Sequence, residues 1–340
     1  MSEQVLVTGA YGFVAAHCIL QLLEQGYLVR GTLRMLDQAQ AVRQMITQAG
    51  GPGDRLELVQ ADLLDDRGWE QAVRGCMYVL HVASPALNLP ASQAESLIRP
   101  ARDGTLRVLK AAAAAGVRRV VLTSSLAAVV EGYDDYHRSF DEKNWTQLDH
   151  KPRAYAFSKT LAERAAWDFV KNLGPGAAMD LAVINPGNIH GPMLVPRHAK
   201  SNELIVRLMR RVYPGCARLS FPVVDVRDVA GAHLLAMTTP SASGQRFCCL
   251  SSSPWMVEMA AILNEHFTSR GYRVSERVLP DLLVRLITMF DLDASYMQKS
   301  LGKRLQVSNR FIVEQLGWKP RSLETVIVDT AESLIRFKIV

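Results

Sequence analysis

A chain of 340 residues, 49% of them apolar, with 39 basic against 33 acidic side chains and a net charge of +6, has ordinary globular composition and length for about two lobes at ~150 residues each, without disulfide or metal staples. Its most apolar stretch, around Leu282 to Phe290, is broken by Arg285 and falls well short of the ~20 residues that cross a bilayer, so no membrane span is expected. The basic pairs Arg118-Arg119, Arg210-Arg211 and Lys303-Arg304 are scattered along the chain, which speaks against a nucleic-acid partner.

Val5 to Thr8, Leu28 to Leu33, Leu56 to Gln60, Tyr78 to Val82, Val120 to Thr123 and Leu181 to Asn185 read as buried strands. Between them Phe13 to Glu24, Gln38 to Ala49, Trp69 to Val73, Gln93 to Ala115 and Ala154 to Asn172 carry helical patterns. Such alternation predicts right-handed crossovers and a Rossmann-type α/β fold, a doubly wound parallel sheet with helices on both faces. Pro100 falls inside the fourth helix and should kink it or mark a register break.

After Asn185 the rhythm changes. Helices are expected from Asn202 to Arg211, Arg227 to Met237, Met256 to Phe267 and Leu323 to Phe337, with a strand at Gln245 to Leu250. The expected division is a sheet domain of residues 1–185 plus about 224–245, and a smaller, discontinuous α+β lobe from about 186–223 and 246–340. Five irregularly spaced cysteines, and a Met1-Ser2-Glu3-Gln4 start without a basic or cleavage-site region, predict a reduced, cytoplasmic setting. Cys248 and Cys249, adjacent in a strand, should face opposite sides and share no metal.

Thr8-Gly9-Ala10-Tyr11-Gly12-Phe13-Val14-Ala15 joins the first strand to the first helix. A glycine at a strand exit permits the tight turn, and a second lets a dinucleotide pyrophosphate approach backbone N–H groups. A small third residue then lets helix and strand pack closely, with the helix N-terminus aimed at the anion. Gly9, Gly12 and Ala15 meet these three needs. Folds that bind NAD usually carry an acidic residue at the end of the second strand for the ribose diol. Here that strand ends in Arg34, which pairs with a 2′-phosphate instead, so the reading is NADP (NADPH), with NAD through nearby Asp37 as the alternative.

Tyr155-Ala156-Phe157-Ser158-Lys159 opens a predicted helix, and a spacing of four puts phenol and ammonium on one face. A phenol is a poor proton donor near neutrality, and a neighbouring ammonium favours its ionised form. Upstream, the buried run Val120 to Leu122 ends in Thr123-Ser124-Ser125, hydroxyls that should emerge at the carboxyl end of a sheet strand, where ligands of open α/β sheets bind. One serine can donate to a substrate oxygen while Tyr155 protonates it.

With these features together, the whole chain resembles the extended short-chain dehydrogenase/reductases. Within them it is similar to the branch of dihydroflavonol reductases, cinnamoyl-CoA reductases and related NADPH-dependent aldehyde and ketone reductases. The resemblance rests on the glycine turn, Arg34, Ala61-Asp62-Leu63, His81-Val82-Ala83-Ser84-Pro85, Thr123-Ser124-Ser125 and Tyr155 with Lys159. It extends to Asn185-Pro186-Gly187-Asn188 with Gly191-Pro192, and to Val224-Asp225-Val226-Arg227-Asp228-Val229-Ala230. It implies Tyr155 as proton donor, Lys159 as holder of the nicotinamide ribose and Ser125 as the carbonyl-orienting group, with Ser124 as the alternate. The implied cofactor site comprises Thr8, Gly9, Tyr11, Gly12, Phe13, Val14, Arg34, Asp62 and Leu63, then Val82, Ala83, Ser84, Tyr155, Lys159, Pro186, Gly187 and Asn188 towards the nicotinamide. For Asp62 a helix N-cap or loop carboxylate is an equal alternative.

Leu87, Leu126, Ile189, Met193 and Phe221 are expected to wall a largely apolar pocket, which points to a small hydrophobic carbonyl substrate. Leu126-Ala127 lacks the acidic pair of nucleotide-sugar dehydratases, and Val129-Val130 stands where flavonoid reductases tend to carry Asn or Asp. A general aldehyde or ketone reductase is therefore expected ahead of an epimerase, a hydroxysteroid dehydrogenase or a non-catalytic NADP-sensing regulator. His137, His150, His190 and His198 show no metal-ligand spacing, so no metal is expected; a monomer or homodimer is.

Overall fold

A computed structural model describes residues 3–84, 94–135, 137–150, 152–174, 176–196, 200–288 and 300–340. Its centre is a seven-stranded sheet built from β1 (Gln4–Val7), β2 (Leu28–Leu33), β3 (Leu56–Gln60), β4 (Tyr78–His81), β5 (Arg119–Thr123), β7 (Asp180–Pro186) and β10 (Arg246–Cys249). The pair β6 (Ser139–Phe140) and β11 (Gln306–Val307) and the pair β8 (Asn188–His190) and β9 (Val223–Asp225) form separate two-stranded sheets. Every pairing in the central sheet is parallel, and the order β10-β7-β5-β4-β1-β2-β3 reverses direction between β1 and β4. Beyond the strand ends at such a reversal lies the crevice that open α/β sheets use for ligands.

The period of two along each strand divides the core. Val5 and Val7 face a layer of α1 (Phe13–Glu24), α2 (Ala39–Gln48) and α7 (Val226–Thr238), where Ile19, Leu22, Ile46, Val229 and Met237 are fully or almost fully buried. Leu6, Val79 and Leu122 face the opposite layer of α3 (Trp69–Val73), α4 (Ala94–Ala114) and α5 (Ala154–Asn172). A third cluster joins α6 (Glu203–Met209) and α8 (Met256–Phe267) to the last helix, Leu323–Arg336, and forms the smaller lobe.

The strand at Arg246–Cys249, assigned above to the smaller lobe, is the outer strand of the central sheet, in register with Val183 to Pro186. A helix that periodicity did not reveal, Arg310–Leu316, also returns to the sheet, because Ile312, Leu316 and Trp318 are buried in the α1 and α7 layer. Helix α4 runs through Pro100 without interruption. All five cysteines are buried and free of disulfides. Burial raises the thiols of Cys76 and Cys216 to about 11, so neither offers a thiolate near neutrality. Cys248 and Cys249 do face opposite sides, into different clusters. Among the described residues no helix is long and apolar enough to cross a membrane.

Candidate active site

The glycine turn sits at the strand reversal. Gly9 has φ +73°, and a Cβ there would stand 3.0 Å from that of Ala83, so backbone conformation and close approach both demand glycine. Its N–H donates to Thr32 Oγ1 at 2.9 Å, Ala10 N–H to Thr32 O at 2.8 Å, and Gly12 N–H back to Gly9 O at 2.8 Å. These bonds hold the loop open at the head of α1. Gly12, the N-cap, supplies no side-chain acceptor, and the first turn of α1 carries no acid. The leading N–H groups of a twelve-residue helix thus keep their positive end for an outside anion.

Thr8 behaves differently from its neighbours. It is fully buried, and its hydroxyl accepts from Ala83 N–H at 2.9 Å and meets His81 Nδ1 at 2.9 Å. Thr8 therefore ties the exits of β1 and β4 together. Arg34 is exposed just after β2, and no described acidic side chain pairs with its guanidinium, which leaves a cation where the reading of the second strand expects one. Asp62 Oδ1 accepts from Leu64 N–H at 3.0 Å, the loop-carboxylate alternative, and Leu63 packs into the core behind it.

On the other side of the reversal, α5 carries Tyr155 and Lys159 one turn apart. Lys159 is 9% exposed and its Nζ donates to Thr123 O at 3.3 Å, which anchors the ammonium to the end of β5; Tyr155 remains 48% exposed. The two serines part company here. Ser124 donates to buried Glu163 at 2.5 Å, whereas Ser125 N-caps the short turn Leu126–Ala128 through Ala127 N–H at 3.1 Å and borders the cavity. That cavity has a volume of about 600 Å³, and its walls include Ser125, Tyr155, Leu126, Pro186, Gly187, Asn188, Ile189 and Phe221.

The matching family model, described as the NAD dependent epimerase/dehydratase family, spans residues 5–248. Cinnamoyl-CoA reductase 1 of Petunia hybrida is 39% identical over 269 residues, 78% of either chain. Tetraketide alpha-pyrone reductase 1 of Arabidopsis thaliana is 31% identical over 342 residues, 98% of this chain and 95% of its own. The chain belongs to the NAD dependent epimerase/dehydratase family. Among solved structures, the NADPH complex of the yeast methylglyoxal/isovaleraldehyde reductase Gre2 superposes with a TM-score of 0.80 and 28% identity, over 98% of this chain and 99% of that one. This member of the extended short-chain dehydrogenase/reductases thus lies in the branch of cinnamoyl-CoA reductases and related reductases.

One expected pocket residue falls elsewhere. Met193 is 1% exposed and packs in the smaller lobe's core with α6 and α8, so it does not wall the cavity of this reductase relative. Leu87 lies outside the described residues, and Val82, Ala83 and Ser84 lead up to that segment.

Sequence reasoning missed the polar part of the cavity. Glu131, His150, Arg153 and Lys200 line it. Arg153 forms an ion pair with Glu131 in which Nε, at 2.9 Å, and Nη2 both donate to Oε1, and its own backbone N–H donates to Glu131 Oε2 at 3.2 Å. Because Arg153 is the N-cap of α5, this pair fixes the helix end that presents Tyr155. An arginine two residues before the tyrosine was the available signal, but its acid lies 22 positions upstream in a loop.

Proposed function

We propose that this protein is an NADPH-dependent reductase that converts a hydrophobic aldehyde or ketone to the alcohol, with Tyr155 as proton donor. The observation that carries this reading is the meeting of Ser125 and Tyr155 on one cavity beside the strand reversal, with Lys159 anchored behind them. NADPH suits the other half of the crevice. Gly9 and Gly12 provide a turn that side chains would fill, the open end of α1 suits a diphosphate, and Arg34 suits a 2′-phosphate. The NADPH in the yeast relative's complex supports the same assignment.

When bound, the dinucleotide supplies the hydride. The chain's own residues orient the acceptor and deliver the proton. Ser125 donates to the carbonyl oxygen and Tyr155 protonates it as charge develops, while Lys159, one helical turn on, is held to Thr123 O. Leu126, Ile189 and Phe221 offer an apolar surface for the body of the substrate and exclude water from the reacting carbon.

The direct test follows NADPH oxidation at 340 nm over a panel that includes methylglyoxal, isovaleraldehyde and cinnamoyl-CoA beside other aromatic and aliphatic carbonyls. Turnover of at least one uncharged aldehyde or ketone is expected. NADPH binding with no turnover on any of them would replace this reading by a non-catalytic one. A second measurement addresses the cofactor. A charged hydrogen bond of about 1.5–3 kcal/mol corresponds to a factor of roughly 10 to 150, so Arg34→Asp is expected to raise the KM for NADPH by about that much and to change that for NADH far less. Equal effects on both cofactors would remove Arg34 from the phosphate site.

A further inference from the structure

Glu163 lies on α5 four residues beyond Lys159 and eight beyond Tyr155, on the same face of the helix, yet it is fully buried. Its Oε2 accepts from Ser124 Oγ at 2.5 Å and from Asn185 Nδ2 at 2.8 Å. Its Oε1 accepts from Arg246 Nε at 2.7 Å and from Trp167 Nε1 at 3.4 Å. One carboxylate therefore joins the helix that carries Tyr155 to the ends of β5 and β7 and to the start of β10. Asn185 Nδ2 also donates to the carbonyl oxygen of Ser125 at 3.2 Å, so the same amide that touches Glu163 holds the main chain of the cavity serine. Arg246 is held in turn. Its guanidinium stacks on Trp145 at 3.7 Å, and Nη1 donates to Asn144 O at 2.7 Å.

A carboxyl group is costly to bury without partners, and this one is matched by four donors, three of them from outside its own helix. Hydrogen bonds are directional, so such a hub restricts where the strand ends stand relative to the helix more than apolar packing of the same volume would. We infer that Glu163, with Arg246 and Asn185, is a positioning residue. It sets the distance between Ser125, at the end of β5, and Tyr155, on α5, without touching substrate itself. This inference rests on the reductase reading above, in which those two groups act on one carbonyl oxygen.

The test compares the wild type with Glu163→Gln, Ser124→Ala, Tyr155→Phe and Asp180→Asn, using the panel carbonyl turned over fastest, the Kd for NADPH by fluorescence, and Tm. Asp180 pairs with buried Arg119 at 2.9 Å at the opposite ends of β5 and β7, so its loss weakens the same two strands away from the cavity. Misplacing reacting groups by a fraction of an ångström to one ångström costs up to about 100-fold. Glu163→Gln is therefore expected to lower kcat by about 10- to 100-fold, with the KM for the carbonyl and the Kd for NADPH within about threefold of wild type. Asp180→Asn is expected to lower Tm and leave kcat in place. A folded Glu163→Gln with kcat within about twofold of wild type, or equal kcat losses in Glu163→Gln and Asp180→Asn, overturns the positioning role. If Glu163→Gln does not fold, Ser124→Ala decides, since it removes one neutral bond to the hub; a loss of several-fold in kcat is expected, and an unchanged kcat overturns the role. Tyr155→Phe separates the two levels. Should it retain turnover, Tyr155 is not the proton donor and the pairing with Ser125 that Glu163 is argued to set falls with it; should it lose turnover while Glu163→Gln does not, only the positioning role falls.

Discussion

Tyr155→Phe is expected to lower kcat for carbonyl reduction by about 10²- to 10⁴-fold, the usual contribution of a positioned general acid, while the Kd for NADPH stays within about threefold. The substitution removes one oxygen and keeps the ring. Tyr155 is half exposed towards the cavity and its hydroxyl holds no hydrogen bond to the fold among the described residues, so the fold should tolerate the change. Lys159 would keep its bond to Thr123 O, and the far half of the crevice, around Gly9 and Arg34, would be untouched. The split between lost turnover and retained cofactor binding is the discriminating result. Steady-state assays at 340 nm together with NADPH fluorescence titration measure both. Turnover above about a tenth of wild type would assign proton delivery to another group.

The second large effect is on stability in acid. His17, His81, His190 and His233 are all buried, with exposures of 3% or less. Burial disfavours the charged ring at each site and lowers His17, His190 and His233 to about 4; His81, which also faces the Lys159 ammonium, falls to about 3. In the unfolded chain these rings titrate near 6.5. The unfolded state therefore binds more protons below that value, so the contribution to stability is complete above about pH 6.5 and is lost as pH falls through the window from 6.5 to 4, or to 3 for His81. At pH 5 each ring has lost about 2 kcal/mol, and the four together about 8 kcal/mol, a large share of the roughly 5–15 kcal/mol that holds an ordinary domain.

Two acids oppose this trend. Burial raises the Asp228 carboxyl, although Arg321 pairs with it, and raises that of Glu142, so both bind protons more readily folded than unfolded. Two raised carboxyls offset only part of four depressed imidazoles. The urea midpoint is therefore expected to fall steeply between pH 7.5 and 5.0, and His17→Gln, whose amide can still donate to Pro192 O, should flatten the slope by about one proton. A midpoint independent of pH over that range would mean that these rings are not held neutral.

Much of the molecule was legible from residues near one another in the chain. The glycine turn could be read because a tight turn, a close backbone approach and a helix start are local events, met by Gly9, Gly12 and Ala15 within one short loop. Tyr155 and Lys159 share a face through helix geometry alone. By contrast, β8 and β9 are three residues each, too short for any period to register, and the reach of β10 into the sheet depends on pairing with Val183 to Pro186, far back in the sequence. Gly31 gave no sign either, though a Cβ there would stand 2.8 Å from that of Ala10 and 2.9 Å from Leu58 Cδ2.

The residue pattern alone therefore specified the alternation of strands and helices, the glycine turn at the head of the first helix and the phenol and ammonium one turn apart, because propensity, periodicity and turn chemistry act over a few residues. Folding in three dimensions decided the rest. It sent Met193 into a core and Ser125 to a cavity, directed Ser124 to Glu163, and brought Arg246 to that carboxylate across 83 positions. Most buried polar groups find partners, and those partners are chosen by packing over the whole sheet, a long-range condition that no local window contains.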